Sequence, residues 1–297
     1  MPSIAISGAS SLIGSALAQA ALERGFKVIC LAQKNSSRLK YIPAGAKILF
    51  ADLSEYERFE TDEKCDMFFH LAWEKTGVAN RDNCFVQSKN IQYTLDAVNL
   101  ASRMGCKVFV GAGSQAEYGL VTEPLTANMP VNPLSGYGIA KLAAGQLSRL
   151  LSRQIGMRHN WVRILSVYGS CGGENTIINY CINKLLAGEA PELTPCEQIW
   201  DFLHSTDCAA ALLAVGEKGV DEKIYVLGSG ERRKLKDYVL AIRDIVNPKV
   251  DLHFGKKDYY TNQPMFLSAD ISELVRDTEW KPRISFKDGI KKSILCL

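Results

Sequence analysis

Two short patterns have the residue types and spacing that chemistry needs. In NPLSGYGIAKLAAGQLSRL, residues 132–150, Tyr137 stands four positions before Lys141 at the head of a stretch that reads as a helix. That interval places both side chains on one helical face. A tyrosine with an ordinary pKa near ~10 is a poor base at neutral pH unless positive charge close by stabilises its phenolate. A lysine one turn along supplies that charge. In ISGASSLIG, residues 6–14, Gly8, Ser11 and Gly14 fall at three-residue steps between a short apolar run and a helical pattern. Glycine in such a turn lets backbone amides approach a pyrophosphate at the positive end of a helix and lets the helix pack closely on the strand. The turn through Gly8, Ser10, Ser11, Leu12, Ile13 and Gly14 is therefore a candidate dinucleotide cradle, with Ser11 where a third glycine is usual.

Residues of this kind work only if regular elements hold them. The first half of the chain alternates apolar runs (SIAIS, KVICLA, AKILFAD, DMFFHLA, KVFVGAG) with helical stretches from about Leu12, through residues 86–104, and at Tyr137, which leads to NWVRILSVYG. Short runs apolar on both faces, separated by helices, predict a doubly wound parallel sheet of the Rossmann type, an α/β fold. After about residue 166 the rhythm breaks at GSCGGEN and AGEAPELTPCEQ. Such interruptions mark loops. The expected division is a dinucleotide-binding domain over 1–165, with about 202–217 packing back onto it, and a smaller C-terminal α/β substrate-binding unit over 166–297. Open α/β sheets bind ligands at the carboxyl edge, where that unit would lie.

An NAD site normally carries an acid at the end of the second strand to meet the adenosine ribose. Here the segment reads CLAQKNSSRLK, without one. Lys34 and Arg38, beside Ser36 and Ser37, suit a 2′-phosphate through charge-assisted hydrogen bonds. NADP is the preferred cofactor and NAD the alternative.

The 297 residues are 47% hydrophobic, enough for a sizeable core, and 35 basic against 32 acidic residues show no strong bias. Without a long single-sign run, small molecules are expected as partners rather than nucleic acid or a membrane. Residues 1–22 lack charge but also lack a basic leader region, and their serines and glycines dilute any apolar span, so export is not expected. The nine cysteines are scattered, with no C-x-x-C pair. That argues against a disulfide framework or a metal site and for a reducing cytoplasm.

Taken in order, GASSLIG, FADLSE, HLAW, GAGSQAEYG, SGYGIAK, VRILSVYG, WDFLHSTDCA and EWKPRISFKDG resemble the extended short-chain dehydrogenase/reductase family, the nucleotide-sugar epimerases, dehydratases and reductases, over nearly the whole chain. The resemblance implies a catalytic set of Ser114, Tyr137 and Lys141. Tyr137 would exchange a proton with the substrate oxygen, Ser114 would hydrogen-bond the same oxygen, and Lys141 would also meet the nicotinamide ribose. It further implies that Asp52, with Leu53, contacts the adenine and that Leu71 and Ala72 lie beside the cofactor. Trp73, Gln115, Ser166, Asn175 and Trp200 become candidate substrate contacts. Two of these depart from the family pattern: Trp200 replaces a common arginine and Ser166 a common asparagine. A homodimer through paired helices resembles the family habit.

Dehydratases of this family carry acids after the catalytic hydroxyl residue, where this chain has Gln115 and Ala116. Epimerase-reductases that make fucose-type sugars use a cysteine near the hydroxyl residue, and Ala116 cannot serve. Reduction of a 4-keto-6-deoxyhexose by NADPH and 4-epimerisation on tightly held NAD remain, and the second-strand loop favours reduction. Glu117 before Tyr118 is reminiscent of some 4-keto-sugar reductases. A non-catalytic NADP-sensing protein would be expected to lack the tyrosine or the lysine, and both are present.

Overall fold

The computed structural model describes every residue except Cys171, Glu174, Asn175, Asn262, Cys296 and Leu297. Asn175, a candidate substrate contact, thus lies outside the described residues.

β1 (Ser3–Ser7) runs through α1 (Leu12–Glu23) to β2 (Lys27–Ala32) and β3 (Lys47–Phe50). β4 (Met67–His70), α2 (Cys84–Arg103), β5 (Val108–Ser114), α3 (Gly136–Gln154) and β6 (Arg158–Ile164) follow. Every apolar run named above became a strand; β1, β2, β4 and β5 bury both faces of the pleat inside the covered parallel sheet, while β3 at its edge stays partly exposed. Among the described residues the sheet has seven strands, ordered β10 (Ile224–Leu227), β6, β5, β4, β1, β2, β3, all paired in parallel. Alternate side chains divide its two faces. Ile4, Ile6, Val28, Cys30, Phe69 and Val110 pack with α1 on one side; Ala5, Ile29, Leu31, Phe68 and Phe109 pack with α2 on the other.

The run at NWVRILSVYG splits. β6 ends at Ile164, and after Leu165 the chain forms β7 (Ser166–Tyr168), which pairs with β9 (Phe202–His204) in a separate two-stranded sheet. Two further segments past residue 166 return to the central sheet. α5 (Ser205–Lys218) covers α1 through Ala209, Leu212 and Leu213. β10 pairs with β6 as the edge strand. The remaining elements are α4 (Ile177–Leu186), β8 (Ile199–Trp200), β11 (Arg233–Lys234), α6 (Leu235–Val246), α7 (Ser272–Thr278) and α8 (Phe286–Ile294). α4, α6 and α8 share a smaller core with Cys181, Ile182, Tyr238 and Phe286. Among the described residues no helix is long and apolar enough to cross a membrane.

Candidate active site

Gly8 leaves β1 with φ +71°, a left-handed conformation that a side chain disfavours. A Cβ there would lie 2.7 Å from the Ala72 amide nitrogen, and one at Gly14 would lie 2.2 Å from the Gly8 carbonyl oxygen. The β1–α1 turn thus packs backbone to backbone against the end of β4. Ser11 caps α1 by accepting from the Gly14 amide at 3.1 Å, which explains a serine at that step: a hydroxyl here satisfies an otherwise orphaned helix donor.

Over this turn lies a cleft of about 650 Å³, bordered by Gly8, Ser10, Ser11, Arg38, Asp52 and Ala72, with Leu53, Leu71 and Trp73 on the same wall. Leu12, Ile13 and Gly14 form the first turn of α1 behind it. The bare turn, the helix N-terminus and the hydroxyl and guanidinium groups suit a pyrophosphate, so the residues present fit a dinucleotide. Arg38 donates through Nε to the Ser10 carbonyl at 3.0 Å and lies 4.9 Å over the Tyr41 ring. Lys34 borders an adjoining hollow of about 490 Å³ together with Gln33 and Asp52, which also line the main cleft. The Asp52 carboxylate accepts from the Gln33 amide and from Ser54. Burial pushes its pKa up, but these hydrogen bonds outweigh that and hold it below the usual range.

Ser114 closes β5, while Tyr137 and Lys141 occupy the first two turns of α3 with their side chains against Trp73 of the cleft wall. Ser135 caps that helix through the Gly138 amide at 3.1 Å. The Tyr137 amide donates to the Arg81 carbonyl at 2.7 Å, and the Arg81 guanidinium lies 5.2 Å over the tyrosine ring. Burial raises the Tyr137 pKa, opposed by a hydrogen bond from Ser114 and by the Arg81 charge. Lys141 is 4% exposed and donates to the Ala112 carbonyl at 2.7 Å. Burial pulls it down to about 7, with Glu117 pulling the other way. Its Nζ stands 3.7 Å over the Trp73 ring and 5.9 Å from the Tyr137 ring.

Behind these groups lies a pair that sequence reasoning did not connect. Glu117, fully buried, accepts from Arg163 Nε at 2.7 Å, from Trp161 Nε1 at 3.0 Å and from the Ser114 amide at 2.8 Å. The signal was present as an arginine inside the apolar run WVRILS, since a buried guanidinium needs a buried anion. Glu117 therefore holds the end of β5 in place. Gln115 opens the short turn between Ser114 and Glu117 and is half-buried.

His70 is buried at the end of β4, and burial lowers its pKa to about 3, with the charge of Lys141 adding to the effect. Ser7 Oγ accepts from the Ala72 amide and lies 2.8 Å from His70 Nδ1. Thr94 donates to the Asn90 carbonyl and lies 3.4 Å from His70 Nε2. With the Thr94 proton spent there, the ring is neutral with its proton on Nε2, directed at Thr94, and receives the Ser7 proton on Nδ1. This arrangement ties β1, β4 and α2 together under the cleft.

The two departures from the family pattern meet each other: Trp200 Nε1 donates to Ser166 Oγ at 2.9 Å. The next residue, Asp201, is fully buried and accepts from the amides of Ser229, Gly230 and Ala269. It fixes the loop that leads from β10 to β11, which pairs with β8 so that Arg233 faces Trp200.

Comparison with known proteins agrees with this architecture. A family model described as the NAD dependent epimerase/dehydratase family matches residues 4–228. An uncharacterised UDP-glucose epimerase of Bacillus subtilis is 27% identical over 79% of this chain and 75% of its own. A dTDP-6-deoxy-L-talose 4-dehydrogenase (NAD(+)) of Aggregatibacter actinomycetemcomitans is 26% identical over 80% of this chain and 87% of its own. The crystal structure of a UDP-glucose 4-epimerase of Thermotoga maritima with UDP-glucose superposes with a TM-score of 0.89 at 21% identity, covering 99% of this chain and 98% of that one.

Proposed function

Because the chain belongs to the NAD dependent epimerase/dehydratase family, and is thus an NAD(P)-dependent enzyme of that type, we propose that it reduces the ketone of a nucleotide-linked 4-keto-6-deoxyhexose, with NADPH as reductant. The observation that carries the reading is the state of the Glu117 carboxylate beside Ser114, which is already committed to Arg163, Trp161 and a backbone amide. Elimination of water needs a further acid and base at that place, whereas carbonyl reduction needs only a proton donor and a polarising partner. Carbon 4 is supported by the 4-dehydrogenase relative. NADPH is supported by the apolar Ala32 that ends β2 and by Ser36 and Arg38 on the cleft wall.

A dinucleotide held at its pyrophosphate by the Gly8 turn would supply hydride to the carbonyl carbon. Tyr137 delivers the proton to the carbonyl oxygen. Ser114 donates a hydrogen bond to that oxygen and shifts charge onto it, and Lys141, when protonated, favours the phenolate left behind. The unit built on α4, α6 and α8 would receive the nucleotide end, with Trp200 and Ser166 at its border. The apolar side chains of Phe85, Ile139, Leu147 and Leu150 on α2 and α3 are exposed, which supports a homodimer through those helices, to be tested by sedimentation equilibrium.

The test supplies a nucleotide-linked 4-keto-6-deoxyhexose and NADPH. One cofactor should be consumed per sugar reduced, with a 4-hydroxyl product. In a parallel reaction the protein receives a reduced nucleotide hexose and no added cofactor. Interconversion with the 4-epimer there, without net change at the reduced-nicotinamide band, would sink the reductase reading. It would establish the 4-epimerase reading that the Bacillus relative supports.

A further inference from the structure

Trp73 follows β4 where the chain turns out over the cleft, and α2 fixes its indole. Its Nε1 donates to Gln87 Oε1 at 2.9 Å, while the Gln87 amide is spent on the carbonyls of Lys75 and Asn80. Asn90 holds both the amide and the carbonyl of Glu74. Gln87 and Asn90 are each 1% exposed. Lys75 takes φ 57°, a left-handed conformation that a side-chain-bearing residue keeps only where its surroundings over-determine it. So firmly tethered a loop is built to present something, and what it presents is one aromatic ring.

That ring meets both members of the α3 pair. Its face lies 3.7 Å from Lys141 Nζ, and its plane stands at 81° to the Tyr137 ring with centroids 5.9 Å apart. The other groups that face the lysine are more distant or committed. Trp161, from β6, and Tyr137, from the same helix, each place a ring 5.9 Å away. Glu117, after β5, is bound to Arg163, and His70, from β4, is neutral. A buried ammonium with one carbonyl partner lacks the solvation it had in water. An indole face at this distance returns part of it through the negative potential of the ring.

We propose that Trp73 is a positioning residue for the reaction centre: its indole face holds the Lys141 side chain as a cation and its approach fixes the Tyr137 ring, so that the pair is set before any ligand arrives. The effect on turnover rests on the reading of Tyr137 and Lys141 given above; the clamp itself does not. With burial already drawing Lys141 down to about 7, a modest interaction decides its charge at neutral pH. A ring present only to fill space would be indifferent to its own electron density.

The experiment uses that difference. Replacing Trp73 alone by tryptophans with increasing numbers of ring fluorines keeps the shape nearly constant while withdrawing π density. In the cofactor-free protein, labelled with carbon-13 at lysine Cε, the Lys141 resonance is identified by its loss in Lys141→Arg, and its titration midpoint is followed by NMR. The midpoint should fall stepwise with fluorination, the acid dissociation constant rising about threefold or more across the series. Trp73→Phe, which keeps a ring, should retain a higher midpoint than Trp73→Leu. A midpoint indifferent to fluorination overturns the clamp. The alkaline limb of kcat/KM for ketone reduction should move down in step. If the midpoint moves and the limb does not, the clamp stands and the assigned role of Lys141 in proton transfer fails.

Discussion

Lys141 sits in surroundings that penalise its own charge, and the penalty has a sign that can be measured. Its folded pKa, about 7, lies below its ordinary value of 10.5. Between those values the unfolded chain binds more protons than the folded one, so stability rises with pH across the window and the full cost is present below it. Lys141→Met should therefore be more stable than the parent protein by roughly 2–4 kcal/mol at pH 6. The gap should close as pH rises towards 10, as followed by calorimetry without cofactor. The same variant should lose most turnover, so stability and activity part company at one residue. Tyr137→Phe removes only a phenolic hydroxyl. Turnover should drop by about 10²–10⁴-fold, with NADPH affinity in a fluorescence titration nearly unchanged.

At the scale of elements, β5, β6 and α3 meet around one indole. A Cβ at Gly111 would lie 2.4 Å from Trp161, one at Gly113 also 2.4 Å, and one at Gly145 of α3 2.7 Å. Trp161 in turn donates to Glu117, which pairs with Arg163. Glu117→Gln leaves the guanidinium buried and unpaired and should cost about 3–5 kcal/mol in urea unfolding. Combining it with Arg163→Met should recover part of that loss, the coupling that a double-mutant cycle measures. None of this network is local in sequence, which is why the motif GAGSQAEYG could be recognised but not explained. The turn at Gly8 and the Tyr137–Lys141 spacing were legible because their chemistry spans one turn of chain. Strands buried on both faces were legible for the same reason. β10 was not, since IYVL is short and follows the charged DEK, and the break at Leu165 was not, because an apolar run does not reveal where a strand leaves its sheet. The contact of Trp73 with Lys141 required the fold itself.

Across the whole molecule, buried histidines add to the acid sensitivity of the fold. Burial lowers His159 to about 4, while it stacks between Phe109 and Trp161 at centroid distances of 5.8 and 6.3 Å. As pH falls from the ordinary value of 6.5 towards 4, the unfolded chain takes up a proton that the fold refuses, and stability is lost over that interval. His159→Phe keeps the stack and removes the titration. It should be less acid-sensitive than the parent by about 1–2 kcal/mol at pH 5, read from urea midpoints. The sheet is also a composite of distant segments, with β10 lying outside β6 and α5 covering α1. This has a consequence for synthesis. A nascent chain that has released α3 and β6 already holds most of the sheet, yet it carries an unpaired strand edge and an uncovered apolar helix face. Both invite the wrong neighbour until the ribosome has delivered Leu227.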